Sequence, residues 1–360
     1  MKLLSSVLTI LSIAVCAGPT VATAGSDFKK GVNISHWLAQ HAPGHYATAE
    51  RFEAEDAAWI ADHGFDHVRI PVDGRILMSI EGKLITELLQ PLDQALEWCR
   101  AHDLGVILDM HYLPGNEFLN DAADNALWSD PDLRAAAASL WTQVATHYRD
   151  VGPWLRYEIL NEAVAPENED LNILNQLIVD AIRTVDATRV LYVSSNRWGQ
   201  FQTVPDLRLF DDPNVHYALH TYEPFLFTHQ NTSWTPLKDI PAGAVTFPGG
   251  IEVASDSPLA AQMMKEHHTL AVTLERADVA AHYAPVAAWA REHGVNVVIT
   301  EFGVYRAADP ESTVNWIRAN VELCEAAGFG WSVWDYQGGF AIRGPDGEPT
   351  AVYRGLFPER

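Results

Sequence analysis

The chain has 360 residues, 48% of them hydrophobic, and a formal charge of -23 from 47 Asp and Glu against 24 Lys and Arg. That length admits one large barrel or two ordinary domains with an ample core. That charge disfavours nucleic acid, anionic lipid and polyanionic glycans as partners and suits a neutral substrate.

Residues 1–24 read as a secretory signal peptide: a positive start at Lys2, an apolar run from Leu3 to Val15, and a small-x-small cleavage site at Ala22-Thr23-Ala24. Cleavage there leaves Gly25 as the new N-terminus of a catalytic chain 25–360, secreted or periplasmic. Val15 is too bulky to precede a lipidated Cys16. No later stretch holds the roughly 18 uninterrupted apolar residues that span a bilayer, so no membrane contact is expected after cleavage, and a monomer is. The mature chain keeps Cys99 and Cys324, on helical segments that are not neighbours in the order derived below. Two free, buried thiols and no disulfide are expected.

Apolar strands are predicted at 31–35, 67–72, 106–111, 157–162, 189–194, 214–222, 296–301 and 329–335. Helices are predicted at 50–63, 88–102, 132–149, 171–185, 279–293 and 311–327, several closed by a glycine such as Gly64 or Gly328. Continuous apolar strands alternating with helices imply a parallel sheet covered on both faces. Eight such units, with no dinucleotide-type glycine fingerprint after the first strand, favour a single α/β domain, a closed (β/α)8 TIM barrel. Three irregularities stand out. The stretch 196–213 is too short for a full crossover helix. A long excursion, 223–278, follows strand six, and the aromatics Phe225, Phe227, Trp234 and Phe247 fall in its first half. No complete helix is evident after strand eight. A loop as long as the excursion is usually functional, here as a wall over the active face, the alternative being a surface insertion with its own small core.

The C-terminal ends of the strands carry Arg69, His111, Asn161 with Glu162, His220 with Tyr222, Glu301 and Trp334. In a barrel these ends share one mouth. Singly each has an ordinary explanation, such as a satisfied core histidine or a structural ion pair; together they describe a site. Glu162 and Glu301, on two strand ends with a sugar-sized gap between them, suit a glycosidase.

Six segments carry a resemblance: Val68-Arg69-Ile70-Pro71, Asp109-Met110-His111, Leu160-Asn161-Glu162, His220-Thr221-Tyr222, Thr300-Glu301-Phe302-Gly303 and Trp331-Ser332-Val333-Trp334. In that order the chain resembles glycoside hydrolase family 5, the large cellulase family of retaining β-glycosidases, over nearly the whole mature length. The resemblance implies Glu162 as general acid/base and Glu301 as nucleophile. Arg69 is expected to hold the Glu301 pKa low, with Tyr222 orienting that carboxylate, and the field of Glu301 to raise the pKa of Glu162. It also implies Asn161 on the sugar 2-hydroxyl, His111 and His220 on hydroxyls or carboxylates, and Trp334 stacked under the sugar. His36 and Trp37 are expected to line the distal side. Asn196, Arg197 and Trp198 are expected at the same mouth, and Gln337 to Phe340 beside the first subsite. Where many relatives have a Trp after the third-strand histidine, this chain has Tyr112.

The activity implied is hydrolysis of a neutral polysaccharide, foremost internal cleavage of β-1,4-glucan, without metal or cofactor. Exo action, or another sugar such as mannan, xyloglucan, mixed-linkage or β-1,3-glucan or an arabinofuranoside, is open on the same fold. Two other classes compete: a metal-dependent barrel hydrolase using His111, His220, Asp109 and the two glutamates, and a non-catalytic carbohydrate-binding protein.

Overall fold

The computed structural model describes residues 28–41, 44–48, 51–118 and 124–359. The signal segment with Cys16, the new terminus at Gly25, and Glu50 at the predicted start of the first helix lie outside the described residues. The strands are β1 (Lys30–Asn33), β2 (His67–Asp73), β3 (Gly105–Tyr112), β4 (Leu155–Glu158), β5 (Leu191–Ser194), β6 (Val215–Thr221), β7 (Gly249–Glu252), β8 (Ala271–Leu274), β9 (Val297–Phe302) and β10 (Gly330–Val333). Eight of them close into a barrel in the order β1-β10-β9-β6-β5-β4-β3-β2, and β7 pairs with β8 in a separate antiparallel hairpin. Every pairing within the barrel is parallel.

The helices Ala54–Asp62, Gln90–Ala101, Pro131–His147, Asn168–Arg183, Arg276–His293 and Pro310–Ala327 cover the barrel. Local chemistry sets their ends. Pro131 and Pro310 open two of them, where a missing N–H costs nothing. The Asp130 and Asp309 side chains accept the first free backbone N–H groups. Gly294 and Gly328 close two helices with left-handed φ of 65° and 80°. Between β5 and β6 a 3-10 segment, Phe201–Asp206, takes the place of a helix. After β10 a short helix, Ala351–Leu356, packs on Pro310–Ala327 so closely that a Cβ on Gly355 would lie 2.7 Å from Ile317. That helix escaped the sequence reading because six residues carry too little periodicity.

Strand four corrects the sequence reading. The regular strand ends at Glu158; beyond it Ile159 N–H still bonds Tyr192 O (3.1 Å) and Asn161 N–H bonds Met110 O (3.0 Å) before the chain turns at Glu162. Arg69 is also not at a lip: it lies mid-strand in β2, fully buried.

The excursion is not a body with its own core. Phe227, Leu237, Ile240, Val245 and Phe247 join the main hydrophobic cluster. Its backbone is tied to the loop after β9 by Gly243 N–H to Ala307 O (2.8 Å) and Tyr305 N–H to Thr228 O (2.9 Å). Trp316 Nε1 donates to Glu223 O at 3.1 Å. Phe225 and Trp234 remain exposed. Cys99 and Cys324 are free and buried, as expected. Among the described residues no helix is long and apolar enough to cross a membrane.

Candidate active site

A bulge in β9 places the second glutamate. Against β6, Leu219 pairs with Ile299 and His220 with Glu301, so Thr300 is skipped. Against β10, Trp331 pairs with Ile299 and Val333 with Phe302. One extra residue on β9 breaks the alternation of faces, so Thr300 and Glu301, adjacent in sequence, both hydrogen-bond to groups of the same interior cluster. The Thr300 carbonyl accepts from Asn33 Nδ2 at 3.0 Å.

Arg69 is the centre of charge. Its guanidinium donates to Glu158 at 2.7 and 3.0 Å, Glu301 Oε1 at 2.6 Å, Asn33 Oδ1 at 2.8 Å and Asn161 Oδ1 at 2.8 Å. Asp109 Oδ2 lies 3.1 Å away. A fully buried guanidinium needs such compensation, since each uncompensated charge costs several kcal/mol. Glu158 and Asn33 were not singled out as site residues from sequence. The signal for Glu158 is its place among Tyr157, Ile159 and Leu160, apolar neighbours beside which a buried carboxylate requires a cation nearby.

Glu162 sits four residues past the end of β4 with a left-handed φ of 40°, a conformation that costs a non-glycine residue energy and persists where its surroundings enforce it. Asn161 N–H, bonded to Met110 O at 3.0 Å, holds the preceding residue against β3. Glu162 Oε1 lies 3.0 Å from His220 Nδ1. Tyr222 donates to Glu301 Oε2 at 3.0 Å. One ligand atom each from Glu162, His220 and Glu301 lie within 4.8 Å of one another. Carboxyl groups that close suit double displacement; an inverting pair needs about 6.5–9.5 Å to admit a water.

The two carboxyls differ in surroundings. Burial pushes Glu162 up to about 8, helped by Asp109 and Glu158 and opposed by Arg69. The repulsion between Glu162 and Glu301 falls on Glu301, which Glu162 raises. Burial also raises Glu301, against the expectation that Arg69 keeps it low; His220 and Arg69 only pull it back part of the way. The hydrogen bonds decide between them. Glu301 accepts from a cation and a phenol, whereas Glu162 faces an imidazole that burial holds neutral, down to about 4. These partners suit an ionised Glu301 and a protonated Glu162. Asp109 is raised to about 7 by burial, opposed by Arg69. Its Oδ2 lies 2.6 Å from His111 Nδ1, and burial pushes His111 down to about 3.

Among the buried polar atoms without a partner in the described residues, His111 Nε2 and Asn161 Nδ2 suit a ligand. Asn161 Oδ1 is taken by Arg69, so its amide N–H2 is the free end. Trp334 stacks on His111 with centroids 6.0 Å apart and planes 8° apart, and His36 stands exposed 6.3 Å from Trp334.

The structure separates the remaining candidates. Trp37 is a correction: it is 2% exposed and packs edge-on to Phe52 in the core, because His36 takes a φ of 56° and the chain turns there. Asn196 is a second correction. It is buried and ties the loop after β4, accepting from Ala165 N at 2.8 Å and donating to Asn168 Oδ1 at 2.9 Å. Trp198 is 42% exposed, its ring fixed by Nε1 to Phe118 O at 2.7 Å, and Arg197 is exposed. Phe340 is buried against Tyr222 and Tyr305, leaving Gln337 to Gly339 nearer the surface. Tyr112 is 5% exposed, with the Arg75 guanidinium 3.8 Å over its ring and Phe118 stacked at 5.1 Å, so it offers no open face to a sugar.

Glu162, His220 and Glu301 also have the composition of a cation site. Both oxygens of Glu301 are already engaged, one of them by a guanidinium whose charge would repel a metal ion. The donor set fits a shared proton better than a cation.

Comparisons agree with this geometry. The model of the Cellulase family (glycosyl hydrolase family 5) matches residues 27–339. Endoglucanase C of Acetivibrio thermocellus is 32% identical over 337 residues, covering 90% of this chain and 96% of that protein. Endoglucanase C307 of Clostridium sp. (strain F1) is also 32% identical, with the same coverage. A solved endoglucanase structure superposes with a TM-score of 0.74 at 25% identity, covering 92% of this chain and 97% of that one.

Proposed function

This chain belongs to glycosyl hydrolase family 5, and from that premise we propose that it is a secreted, monomeric endo-β-1,4-glucanase in which Glu162 and Glu301 perform the chemistry. It is a cellulase-like glycoside hydrolase of the retaining type with a polysaccharide substrate; the proposal adds the sugar, the mode of attack, the residues and the location. One observation carries the assignment of residues: two carboxyls with oxygens inside 4.8 Å, one bound by Arg69 and Tyr222, the other by a neutral histidine.

In this reading Glu301 attacks the anomeric carbon while Glu162 gives its proton to the departing glycosidic oxygen. A covalent glycosyl-enzyme results. Glu162, now a carboxylate, takes a proton from water, whose oxygen displaces Glu301 from the sugar. Asn161 Nδ2 donates to the 2-hydroxyl, His111 Nε2 bonds a neighbouring hydroxyl, and Trp334 packs under the ring. His36 and Trp198 flank the cleavage point. Export rests on the sequence pattern of residues 1–24. The likeness to two named endoglucanases over nine-tenths of the chain supports glucan and internal cleavage.

A second reading, a different β-linked sugar, is favoured by Tyr112. With Arg75 over its ring, a guanidinium and not an aromatic face meets a ligand there. Reducing-end release from mixed-linkage glucan, carboxymethyl cellulose, xyloglucan and mannan decides between them. Glucan cleavage with a rapid loss of viscosity is expected. Cleavage of mannan alone would overturn the glucanase reading, and inactivity of folded protein on all four would overturn both.

A further inference from the structure

Thr300 takes no part in the chemistry described above, yet it is buried at the hub of the site. Its hydroxyl donates to Glu158 Oε1 at 3.2 Å, and its oxygen lies 3.1 Å from His220 Nε2. On the far side of that ring, His220 Nδ1 lies 3.0 Å from Glu162 Oε1. These contacts form one line from Arg69 through Glu158, Thr300 and His220 to Glu162.

The direction of the protons along this line is fixed by its first member. Both oxygens of Glu158 accept from Arg69, so Glu158 is an acceptor. A carboxylate outcompetes an imidazole nitrogen for a hydroxyl proton, so Thr300 spends its single donor on Glu158. The Thr300 oxygen is then an acceptor, and His220 must carry its proton on Nε2. A neutral imidazole has one N–H, so Nδ1 presents a lone pair to Glu162. Only a protonated Glu162 can complete that contact, as donor.

We propose that Thr300 is a positioning residue that sets the tautomer of His220 and thereby stores the catalytic proton on Glu162. The consequence extends to the second half of the reaction. After Glu162 has protonated the leaving group, its carboxylate faces a lone pair and not an N–H. Among the described residues no donor stabilises it, so it is a stronger base toward the incoming water. If Nδ1 carried the proton instead, it would bond the Glu162 carboxylate and weaken both roles. The β9 bulge supports the assignment, because without the extra residue Thr300 and Glu301 would face opposite sides of the strand.

The other groups bearing on this pair are Arg69 from β2, Asp109 and His111 from β3, Glu158 from β4, Tyr222 just beyond β6 and Glu301 from β9. None except Thr300 contacts His220 Nε2 within 3.5 Å; Glu158 Oε1 is 3.9 Å away.

The test compares wild type with Thr300→Val, nearly isosteric but without a hydroxyl, and Thr300→Ser, which restores one. The readout is the pH dependence of kcat/KM on cellopentaose. General-acid catalysis fails as pH rises through the Glu162 pKa, so the basic limb reports that group. The expected result is a shift of the basic limb to lower pH by roughly one unit in Thr300→Val, with KM little changed and the limb restored in Thr300→Ser. A basic limb that stays put in Thr300→Val overturns the proposal, whatever the loss of rate. A second readout needs no turnover. In 15N-histidine-labelled protein, with His220 identified by comparison with His220→Gln, the proton is expected on Nε2 in wild type; a proton on Nδ1 overturns the proposal. The inference rests on Glu162 as acid/base, and that role is read separately by azide rescue of Glu162→Ala. Absence of rescue counts against the role while leaving the tautomer result standing.

Discussion

The two corners of the barrel proposed as catalytic hold the same side chain in opposite surroundings. Glu301 stands on a regular strand at a bulge, 6% exposed, and accepts from a guanidinium and a phenol. Glu162 stands past the end of its strand on left-handed backbone, 15% exposed, facing one neutral imidazole. Burial raises both carboxyls, so depth does not distinguish them. What distinguishes them is the kind of donor each one meets, and the proposed division into nucleophile and proton carrier rests on that difference.

The largest expected effect tests the nucleophile corner. Glu301→Gln should lose more than about 4 kcal/mol of transition-state stabilisation, roughly a thousandfold in kcat/KM. Steady-state assays on folded protein check it, and a rate near wild type would end the assignment. At the other corner, Glu162→Ala should lose roughly 10²–10⁴-fold on a polysaccharide and far less on an aryl glycoside whose leaving group needs no proton. An equal loss on both substrates would break the contrast.

Arg69 joins the corners. Arg69→Met leaves Glu158, Asp109 and Glu301 buried without their cation, and a loss of about 3–5 kcal/mol in urea unfolding is expected. A pH series sharpens the comparison. The folded pKa of Glu162, about 8, lies above its ordinary 4.5. The native state therefore binds a proton that the unfolded chain has lost, and this contribution to stability fades as pH rises from about 4.5 to about 8. Thermal melts across that window should fall more steeply in wild type than in Glu162→Gln. Equal slopes would mean that Glu162 is not raised. The smallest effect concerns the tryptophans. Trp198→Ala should raise KM roughly fivefold, about 1 kcal/mol, with stability unchanged. Trp37→Ala should instead cost about 3–5 kcal/mol of stability.

Much of this was legible in the sequence. Eight apolar segments alternating with helices specify the barrel, because a strand covered on both faces must be apolar throughout. Two of the corrections share a cause. Trp37 and Asn196 lie just past strand ends, where a left-handed residue at 36 or 197 redirects the chain. Nothing in the hydrophobic period announces such a turn. Glu158 was passed over because it falls inside the predicted strand 157–162, and its partner Arg69 is 89 residues away.

The sequence by itself determined the parallel barrel, the mouth at which the polar strand ends gather, and the two glutamates at that mouth, because periodicity and residue type are local properties. Only the tertiary structure brings the donors that distinguish the two glutamates, Arg69 and Tyr222 at Glu301 and His220 at Glu162. That difference depends on the reach of Arg69 across the barrel and on the extra residue in β9 that brings Thr300 and Glu301 to one cluster. These are distances between chain-remote groups, and a linear pattern carries no record of them.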